Sequence, residues 1–374
     1  MRDTIHEIRD TKWEEEKMKI GIVGLPLVGK TTLFNLLTGQ HKEVSIYSSK
    51  GIKNIGIANV YDQRIDYLSS LYHPKKTTYA TIEFIDIGGI SPELPSKEKA
   101  EIFSLIQDAD SLLLVIRLFE DPAVASEKDP IIQIENLRYE LLLRDLEVVE
   151  NRLERLKKSK QKLNHEELIE IEILEKCNQG LSDDQFLANL EFSEDEMKKI
   201  SGFSFYTLKP IIIALNFSEE QLRADSYLQK EKLDQFIQNN NMASINICGK
   251  IEMEINQLEL EERQLFLEDL GLKESGIERL SRICYKHLGL ISFFTVVEDE
   301  VKAWTIKKGT IARKAAGKVH SDMERGFIRA EIVKYQDLVN LGSMSKIKEN
   351  GLLKIEGKDA LIEDGDIINF RFNV

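Results

Sequence analysis

Cysteine is scarce in this sequence, and the scarcity excludes two kinds of small-domain architecture. Among 374 residues there are three cysteines, Cys177, Cys248 and Cys284, and no two of them form a CxxC pair. A zinc ribbon needs closely spaced cysteines, and a disulfide framework needs them in pairs. We therefore expect free thiols and a cytoplasmic, reducing location.

Long hydrophobic runs are also missing. The strongest ones, Leu112–Ile116 and Pro210–Leu215, fall far short of the roughly 18 apolar residues of a membrane span. Residues 1–17 are charged throughout and lack the apolar segment of a signal peptide, so we interpret them as an N-terminal extension. No membrane partner is expected.

A basic excess is absent as well. Lys and Arg number 51 against 64 Asp and Glu, which gives a formal net charge of −13. Such a chain binds nucleic acid poorly without a local basic patch, so DNA is not an expected partner. The 42% of hydrophobic residues can form real cores, and the length predicts two or three domains.

The dominant pattern is α/β. Residues 19–24 form a β-rich run ending in glycine, and helical spacing follows up to Gly39. Further runs of Ile, Val and Leu, typical of parallel strands buried on both faces, occupy 54–60, 79–87, 111–119 and 209–216. Because helical stretches separate them, residues 18–136 and 201–288 are predicted to form a doubly wound, mostly parallel domain.

Residues 137–200 are predicted to be an inserted antiparallel helical hairpin. Its heptad seam comprises Leu142, Leu146, Val149, Leu153 and Leu156, and a second periodic run contains Leu168, Ile171 and Leu174. Basic residues gather near the tip: Arg152, Arg155, Lys157, Lys158, Lys160 and Lys162. They form either a finger that contacts a partner or a solvated face balanced by the acidic second helix.

Residues 289–374 form a third region, predicted to be a small β-rich domain from short alternating runs and turn signals. Its alternating phenylalanines are expected in the core. Its basic residues around one aromatic fit docking to RNA or protein: Trp304, Lys307, Lys308, Arg313, Lys314, Lys318 and Arg325.

The strongest chemical signal is the segment Gly24 to Thr31, which fits the pattern G-x-x-x-x-G-K-[ST] between a strand and a helix. Gly24 and Gly29 allow the backbone to curl so that successive N–H groups face a phosphate. Lys30 is expected to reach the β- and γ-phosphates, and the Thr31 hydroxyl to bind Mg²⁺.

Three more segments complete the predicted site. Asp86 to Gly89 ends a predicted strand, where Asp86 is expected to hold Mg²⁺ through water and Gly89 to sense the γ-phosphate. Asn216 to Glu219 follows another strand, where a guanine reader would be N/T-K-x-D. Glu219 is one methylene longer than aspartate, which favours adenine over guanine. Cys248 to Lys250 is either a base-stacking loop or a plain strand-to-helix turn.

With these motifs the sequence resembles the YchF/Obg-like ATPase family of the TRAFAC class. The resemblance runs from Met18 to Val374 and rests on GIVGLPLVGKTTLFN, FIDIGG, TLKPIIIALNFSE and KAWTIKKGTIARKAAGKVHSDMERGFIRAEIVKY. It implies a β-grasp-like TGS domain at the C-terminus, ATP hydrolysis with weaker use of GTP, and ribosome binding. The resemblance also implies that the basic hairpin tip is a finger that contacts ribosomal RNA.

The sequence also departs from that family. Leu27 stands where members carry an asparagine, which in related potassium-dependent enzymes binds K⁺, and SIYSSKGIKN offers Ser48 or Ser49 but no threonine to ligate Mg²⁺. Two prolines follow Gly89 in place of a glycine-rich run, which predicts slow or differently gated hydrolysis. Ile90 cannot orient water, but the family is also hydrophobic at this position, so Ile90 is not a departure. His73 is more plausible as a surface residue than as a base.

We therefore predict a slow Mg²⁺-dependent ATPase that acts as a translation- or stress-linked switch, with a non-hydrolysing nucleotide-binding scaffold and a GTP-binding protein as alternatives. Lys30 is the predicted catalytic residue, and Thr31 and Asp86 are the predicted metal ligands. The predicted nucleotide-binding residues are Gly24, Leu27, Val28, Gly29, Lys30, Thr31, Thr32, Gly89, Asn216, Phe217, Glu219, Cys248 and Gly249.

Overall fold

The computed structural model describes residues 18–40, 53–91, 93–120, 129–158, 163–227, 229–240 and 242–373. The predicted extension at 1–17, Ser48, Ser49, Lys160 and Lys162 lie outside these ranges. The strands are β1 (Lys19–Val23), β2 (Asn54–Val60), β3 (Lys76–Thr78), β4 (Ala80–Asp86), β5 (Ser111–Arg117), β6 (Ile211–Asn216), β7 (Ala243–Ile247), β8 (Leu290–Val296), β9 (Glu300–Lys307), β10 (Phe327–Lys334), β11 (Lys354–Glu356) and β12 (Asp366–Phe372).

Helices connect and cover the strands. They are α1 (Lys30–Thr38), α2 (Gln63–Tyr72), α3 (Ser96–Ser104), α4 (Pro130–Lys157), α5 (His165–Ser182), α6 (Glu194–Ser201), α7 (Glu219–Ala224), α8 (Lys230–Asn239), α9 (Gly249–Gln257), α10 (Leu260–Asp269), α11 (Gly276–His287), α12 (Ala312–Val319), α13 (Ser321–Arg325), α14 (Tyr335–Leu341) and α15 (Met344–Glu349). Short 3₁₀ turns lie at Leu187–Asn189 and Tyr206–Leu208. In the described part of the chain, no helix is both long and apolar enough to cross a membrane.

The first sheet has the order β2-β4-β1-β5-β6-β7. All neighbouring strands are parallel except β2, which runs antiparallel to β4. Strand β5 is buried at every position, as its unbroken apolar run predicts for a central strand. The predicted α/β class with a mostly parallel sheet is confirmed, and the chain reverses its direction of winding on either side of β1, where ligands of such sheets bind.

The predicted hairpin consists of α4 and α5, which pack against each other. Helix α4 has 28 residues and runs across the predicted limit at 136/137: Ile134 and Leu141 are buried in the core beside β5, and Val149 and Leu153 in the same apolar cluster continue toward the tip. Leu174 is fully buried, whereas Leu168 is 48% exposed because it lies in the first turn of α5, near the tip.

The second sheet has the order β11-β10-β12-β8-β9-β3. Strand β3 comes from the segment between α2 and β4, yet it pairs with β9 of the C-terminal region. Phe293 and Phe294 are fully buried on opposite faces of this sheet, in two separate apolar clusters. One of those clusters also contains Ile65 and Leu68 of α2, so the C-terminal region shares a core with the α/β domain.

Candidate functional site

The loop between β1 and α1 has the tightly curled backbone that the glycine pattern predicts. A Cβ at Gly24 would lie 2.7 Å from the Val115 carbonyl oxygen, and a Cβ at Gly29 would lie 2.5 Å from Asn216 Nδ2. Gly29 has φ of +99°, in the region that glycine adopts without steric cost. Leu27 also has a positive φ, of +61°, which a leucine rarely adopts.

Lys30 opens α1 and is almost completely buried beneath this loop. Its ammonium donates to the Leu25 carbonyl at 2.7 Å and to the Gly24 carbonyl at 3.2 Å. Burial lowers the pKa of Lys30 to about 8, and the nearby Asp86 charge opposes that shift. A desolvated ammonium at a helix N-terminus, below curled backbone, is the charge arrangement that favours a phosphate group.

Asp86 ends β4 beside this loop and is 3% exposed. Its Oδ2 accepts a hydrogen bond from Thr31 Oγ1 at 3.0 Å and a longer one from Asn54 Nδ2 at 3.4 Å. Its Oδ1 is buried and has no hydrogen-bond partner among the described residues. Burial raises the pKa of Asp86, while the hydrogen bonds from Thr31 and Asn54 and the charge of Lys30 oppose the rise.

These atoms fit a magnesium ion. A carboxylate and a hydroxyl are the hard oxygen ligands that Mg²⁺ prefers, and Mg²⁺ usually takes one or two of them together with phosphate oxygens and water. The partnerless Asp86 Oδ1 is the atom that such an ion would satisfy. In the described ranges, no cluster of three or more His, Cys, Asp or Glu forms a metal site built from protein alone.

The turn after β4 packs directly on the loop between β1 and α1, which we call the phosphate loop. A Cβ at Gly89 would lie 2.7 Å from the Pro26 backbone nitrogen, and the Ile90 N–H donates to the Gly24 carbonyl at 3.0 Å. Ile90 is 1% exposed and its side chain belongs to the apolar core. His73 caps α2, and the chain then passes through β3 to the end of β4 opposite Asp86. His73 is therefore separated from the predicted site.

Asn216, at the end of β6, links two of the predicted loops. Its Nδ2 donates to the Val28 carbonyl at 2.9 Å, and its Oδ1 accepts from the Gly249 N–H at 3.1 Å. A Cβ at Gly249 would lie 3.7 Å from Thr32 Cγ2, an ordinary contact distance. The phosphate loop, the end of β6 and the start of α9 thus meet around one buried amide.

The remaining predicted residues surround this junction. Phe217 is buried with its ring edge-on to Tyr227, so the side chain packs in the core. Glu219 begins α7 and forms an ion pair with Arg223 one turn later, at 2.9 Å. Cys248 is buried; burial raises the pKa of its thiol, and the nearby Glu219 charge adds to the rise.

One site residue is missing from the sequence predictions. Asn54 lies directly opposite Asp86 in the antiparallel pair β2 and β4. Its role depends on strand register, and the apolar run at 54–60 predicts only a strand; the structure shows that this strand is antiparallel to β4 and buried on one face. The parallel strands β1, β4 and β6 present their carboxyl ends at one edge of the sheet, which explains why motifs far apart in sequence converge.

Two family models match this chain. A family model described as "50S ribosome-binding GTPase" matches residues 19–152. The YchF-GTPase_C model, described as "Protein of unknown function (DUF933)", matches residues 290–373.

Full-length relatives and a solved structure also match. "Ribosome-binding ATPase YchF" of Bacillus subtilis is 41% identical over 361 residues, covering 95% of this chain and 99% of that protein. The protein of the same name from Mycoplasma genitalium is 39% identical over 370 residues, covering 96% and 100%. The Schizosaccharomyces pombe YchF GTPase structure superposes with a TM-score of 0.83 at 30% identity, covering 95% and 98% of the two chains. The resemblance inferred from the motifs is confirmed: this chain belongs to the YchF family.

Proposed function

We propose that this protein is a Mg²⁺-dependent P-loop nucleoside triphosphatase that prefers ATP, uses GTP weakly, and acts with the ribosome in the cytoplasm. The observation that carries the proposal is the buried Lys30 beneath a curled backbone, adjacent to the Thr31–Asp86 pair. The full-length relatives named above, which are called ribosome-binding ATPases, support it.

Different residues would bind the phosphates, hold the metal ion and position the loops. The loop N–H groups and Lys30 would bind the phosphates, and Thr31 and Asp86 would hold Mg²⁺, whose bound charge would stabilise the charge of the transferred phosphoryl group. Asn216 would hold the phosphate loop and the base-side turn at Gly249 in register. Ile90 would exclude water from its position without orienting it.

The preference for adenine rests on Glu219. A guanine reader needs a carboxylate free to accept two hydrogen bonds from the base, and an unmet polar contact in a buried site costs on the order of 1–3 kcal/mol. Glu219 is one methylene longer than that aspartate, and its carboxylate is paired with Arg223 on its own helix. Selective guanine recognition is therefore disfavoured.

Ribosome contact would use cations that are not neutralised locally. In the C-terminal region Lys314 pairs with Glu324, whereas the exposed Lys307, Lys308 and Lys318 form no ion pair with the described residues. On the hairpin, Arg152 pairs with Glu170, Lys157 with Glu175, and Lys158 with Glu154, whereas the exposed Arg155 forms no ion pair with the described residues. The C-terminal patch is thus the better-supported RNA contact, and the described part of the hairpin favours the balanced, solvated face.

The test compares wild type with Lys30→Ala. Calorimetry with a non-hydrolysable ATP analogue and with the GTP analogue, in Mg²⁺, should show tighter binding of the adenine nucleotide and loss of binding in the variant. Phosphate release from ATP should exceed that of the variant, and co-sedimentation with ribosomes should depend on the bound nucleotide. Tighter binding of the guanine analogue would reverse the base assignment.

A second candidate, a nucleotide-binding scaffold with little hydrolysis, is favoured by one observation. Leu27 places an aliphatic side chain in the loop between β1 and α1, at a positive φ of +61°, where it cannot ligate a cation. The same experiment separates the two functions, because the scaffold predicts strong analogue binding with phosphate release no faster than that of Lys30→Ala.

A further inference from the structure

We propose that Asn54 is a positioning residue of the metal site: it holds the Asp86 carboxylate so that Oδ1 faces the magnesium ion. The inference rests on the proposed function, since it concerns the same Mg²⁺. Asn54 lies outside the phosphate-loop, Asp86–Gly89, Asn216–Glu219 and Cys248–Gly249 segments that define the predicted site.

Strand register places Asn54 beside Asp86. Strand β2 runs antiparallel to β4, and Asn54, its first residue, is the direct partner of the last residue of β4. Side chains directly opposite each other in an antiparallel pair lie on the same face with Cβ atoms about 5 Å apart. The contact is therefore built into the sheet and does not depend on a loop.

The two oxygens of Asp86 have unequal surroundings. Oδ2 accepts from both Thr31 Oγ1 and Asn54 Nδ2, whereas Oδ1 has no hydrogen-bond partner among the described residues although it is buried. A carboxylate rotates readily about its last side-chain bond, so its orientation is set by its partners. Two donors on Oδ2 would therefore fix the carboxylate and leave Oδ1 available to the metal ion.

Asn54 supplies the donor to Asp86 Oδ2 that would not also bind Mg²⁺. The Thr31 hydroxyl has one proton and two lone pairs, and binding Mg²⁺ would use a lone pair and restrict where its proton points. The Asn54 amide carries no charge, so it can anchor Oδ2 without competing with the metal for the carboxylate. Partners that orient metal ligands typically change metal affinity by about tenfold or more when they are removed.

The experiment measures how strongly Mg²⁺ enhances binding of a non-hydrolysable ATP analogue. Calorimetry gives the ratio of the dissociation constant in EDTA to that in excess Mg²⁺ for wild type, Asn54→Leu and Asn54→Ala. Leucine keeps the branched shape of asparagine and removes the donor, whereas alanine removes both. Asn59→Leu and Asn59→Ala are matched controls, because Asn59 lies on the same strand, on its exposed face.

We expect the ratio to fall about tenfold in both Asn54 variants, with unchanged binding in EDTA and unchanged ratios in both Asn59 variants. Thermal unfolding checks that each variant is folded. A wild-type ratio in Asn54→Leu beside a reduced one in Asn54→Ala would show that Asn54 only fills space, and wild-type ratios in both would equally overturn its positioning role. Analogue binding by wild type that Mg²⁺ does not enhance would overturn the metal site itself, and the role of Asn54 with it.

Discussion

At the scale of single residues, Lys30 shows how burial sets chemistry. The ammonium is stabilised by two loop carbonyls, but removal from water lowers its pKa to about 8. Because the folded pKa lies below the unfolded value near 10.4, the protonated form costs stability below pH 8, and this cost disappears as pH rises toward 10. A bound phosphate would reverse that cost by pairing with the charge.

Nucleotide affinity should therefore decline at mildly alkaline pH. Above pH 8 the free protein must take up a proton on Lys30 to bind phosphate, so the dissociation constant for an ATP analogue should rise by up to about tenfold per pH unit. Calorimetry between pH 7 and 9.5 measures this. Lys30→Arg, which stays charged throughout this range, should show no such rise, and a flat wild-type profile would contradict the lowered pKa of Lys30.

At the scale of elements, α4 is held to the α/β domain by a buried carboxylate. Asp145 accepts from the backbone N–H groups of Tyr206 and Thr207 at 2.9 and 2.7 Å, and from the Thr207 hydroxyl at 2.7 Å. These donors belong to the 3₁₀ turn Tyr206–Leu208, so the middle of α4 is bound to the turn that leads into β6. Burial raises the pKa of Asp145 to about 6, although the three hydrogen bonds oppose the rise.

Asp145→Asn should destabilise the fold by about 1–3 kcal/mol at pH 7, because an amide cannot accept from donors on both sides. The folded wild type also binds a proton between about pH 6 and pH 4 that the unfolded chain does not yet bind. The difference in unfolding free energy between wild type and Asp145→Asn should therefore grow as pH falls from about 6 to 4. Urea unfolding at several pH values measures it; Glu150→Gln, on the exposed face of α4, is the control and should lose less than 0.5 kcal/mol or so.

A difference that stays constant from pH 7 to pH 4 would contradict the raised pKa of Asp145. A loss of unfolding free energy no larger than that of Glu150→Gln would show instead that the hydrogen bonds between Asp145 and the 3₁₀ turn contribute little to stability.

At the scale of the whole molecule, the C-terminal region is built into the α/β domain. Arg64 of α2 binds Asp364 through both Nη atoms, at 2.8 and 3.1 Å, and its guanidinium also binds Asp62. The same guanidinium lies 5.3 Å from the centre of the Phe294 ring. Together with β3 in the second sheet and the shared apolar core, these contacts join the two regions.

Removing that guanidinium should destabilise the whole protein. Arg64→Ala leaves two carboxylates without their cation and exposes part of the shared apolar core. We therefore expect the free energy of unfolding to fall by about 2 kcal/mol. Arg282→Ala removes a more exposed arginine that pairs with Glu274, and should cost less than about 1 kcal/mol. Calorimetric unfolding compares them. Equal losses in the two variants would show that the Arg64 contact contributes no more than a surface ion pair.

The amino-acid sequence by itself determined the α/β class, the positions of β1, β2, β4, β5 and β6, and most of the residues that meet at the candidate site. This was possible because buried parallel strands have continuous apolar runs and because a phosphate loop needs glycines and a lysine at fixed spacing. It did not predict β3, whose three residues are too short a run to signal a strand, or the short edge strand β7.

Only the tertiary structure decided what depends on register and on contacts between distant segments. The contact of Asn54 with Asp86, the three hydrogen bonds to Asp145 and the contact of Arg64 with Asp364 join residues 32, 61 or 62, and 300 positions apart. No local periodicity encodes such pairs, because each follows from how strands align and cores pack. The ion pairs of Arg152, Lys157 and Lys158, which favour the solvated interpretation of the hairpin's described residues, likewise required the folded chain.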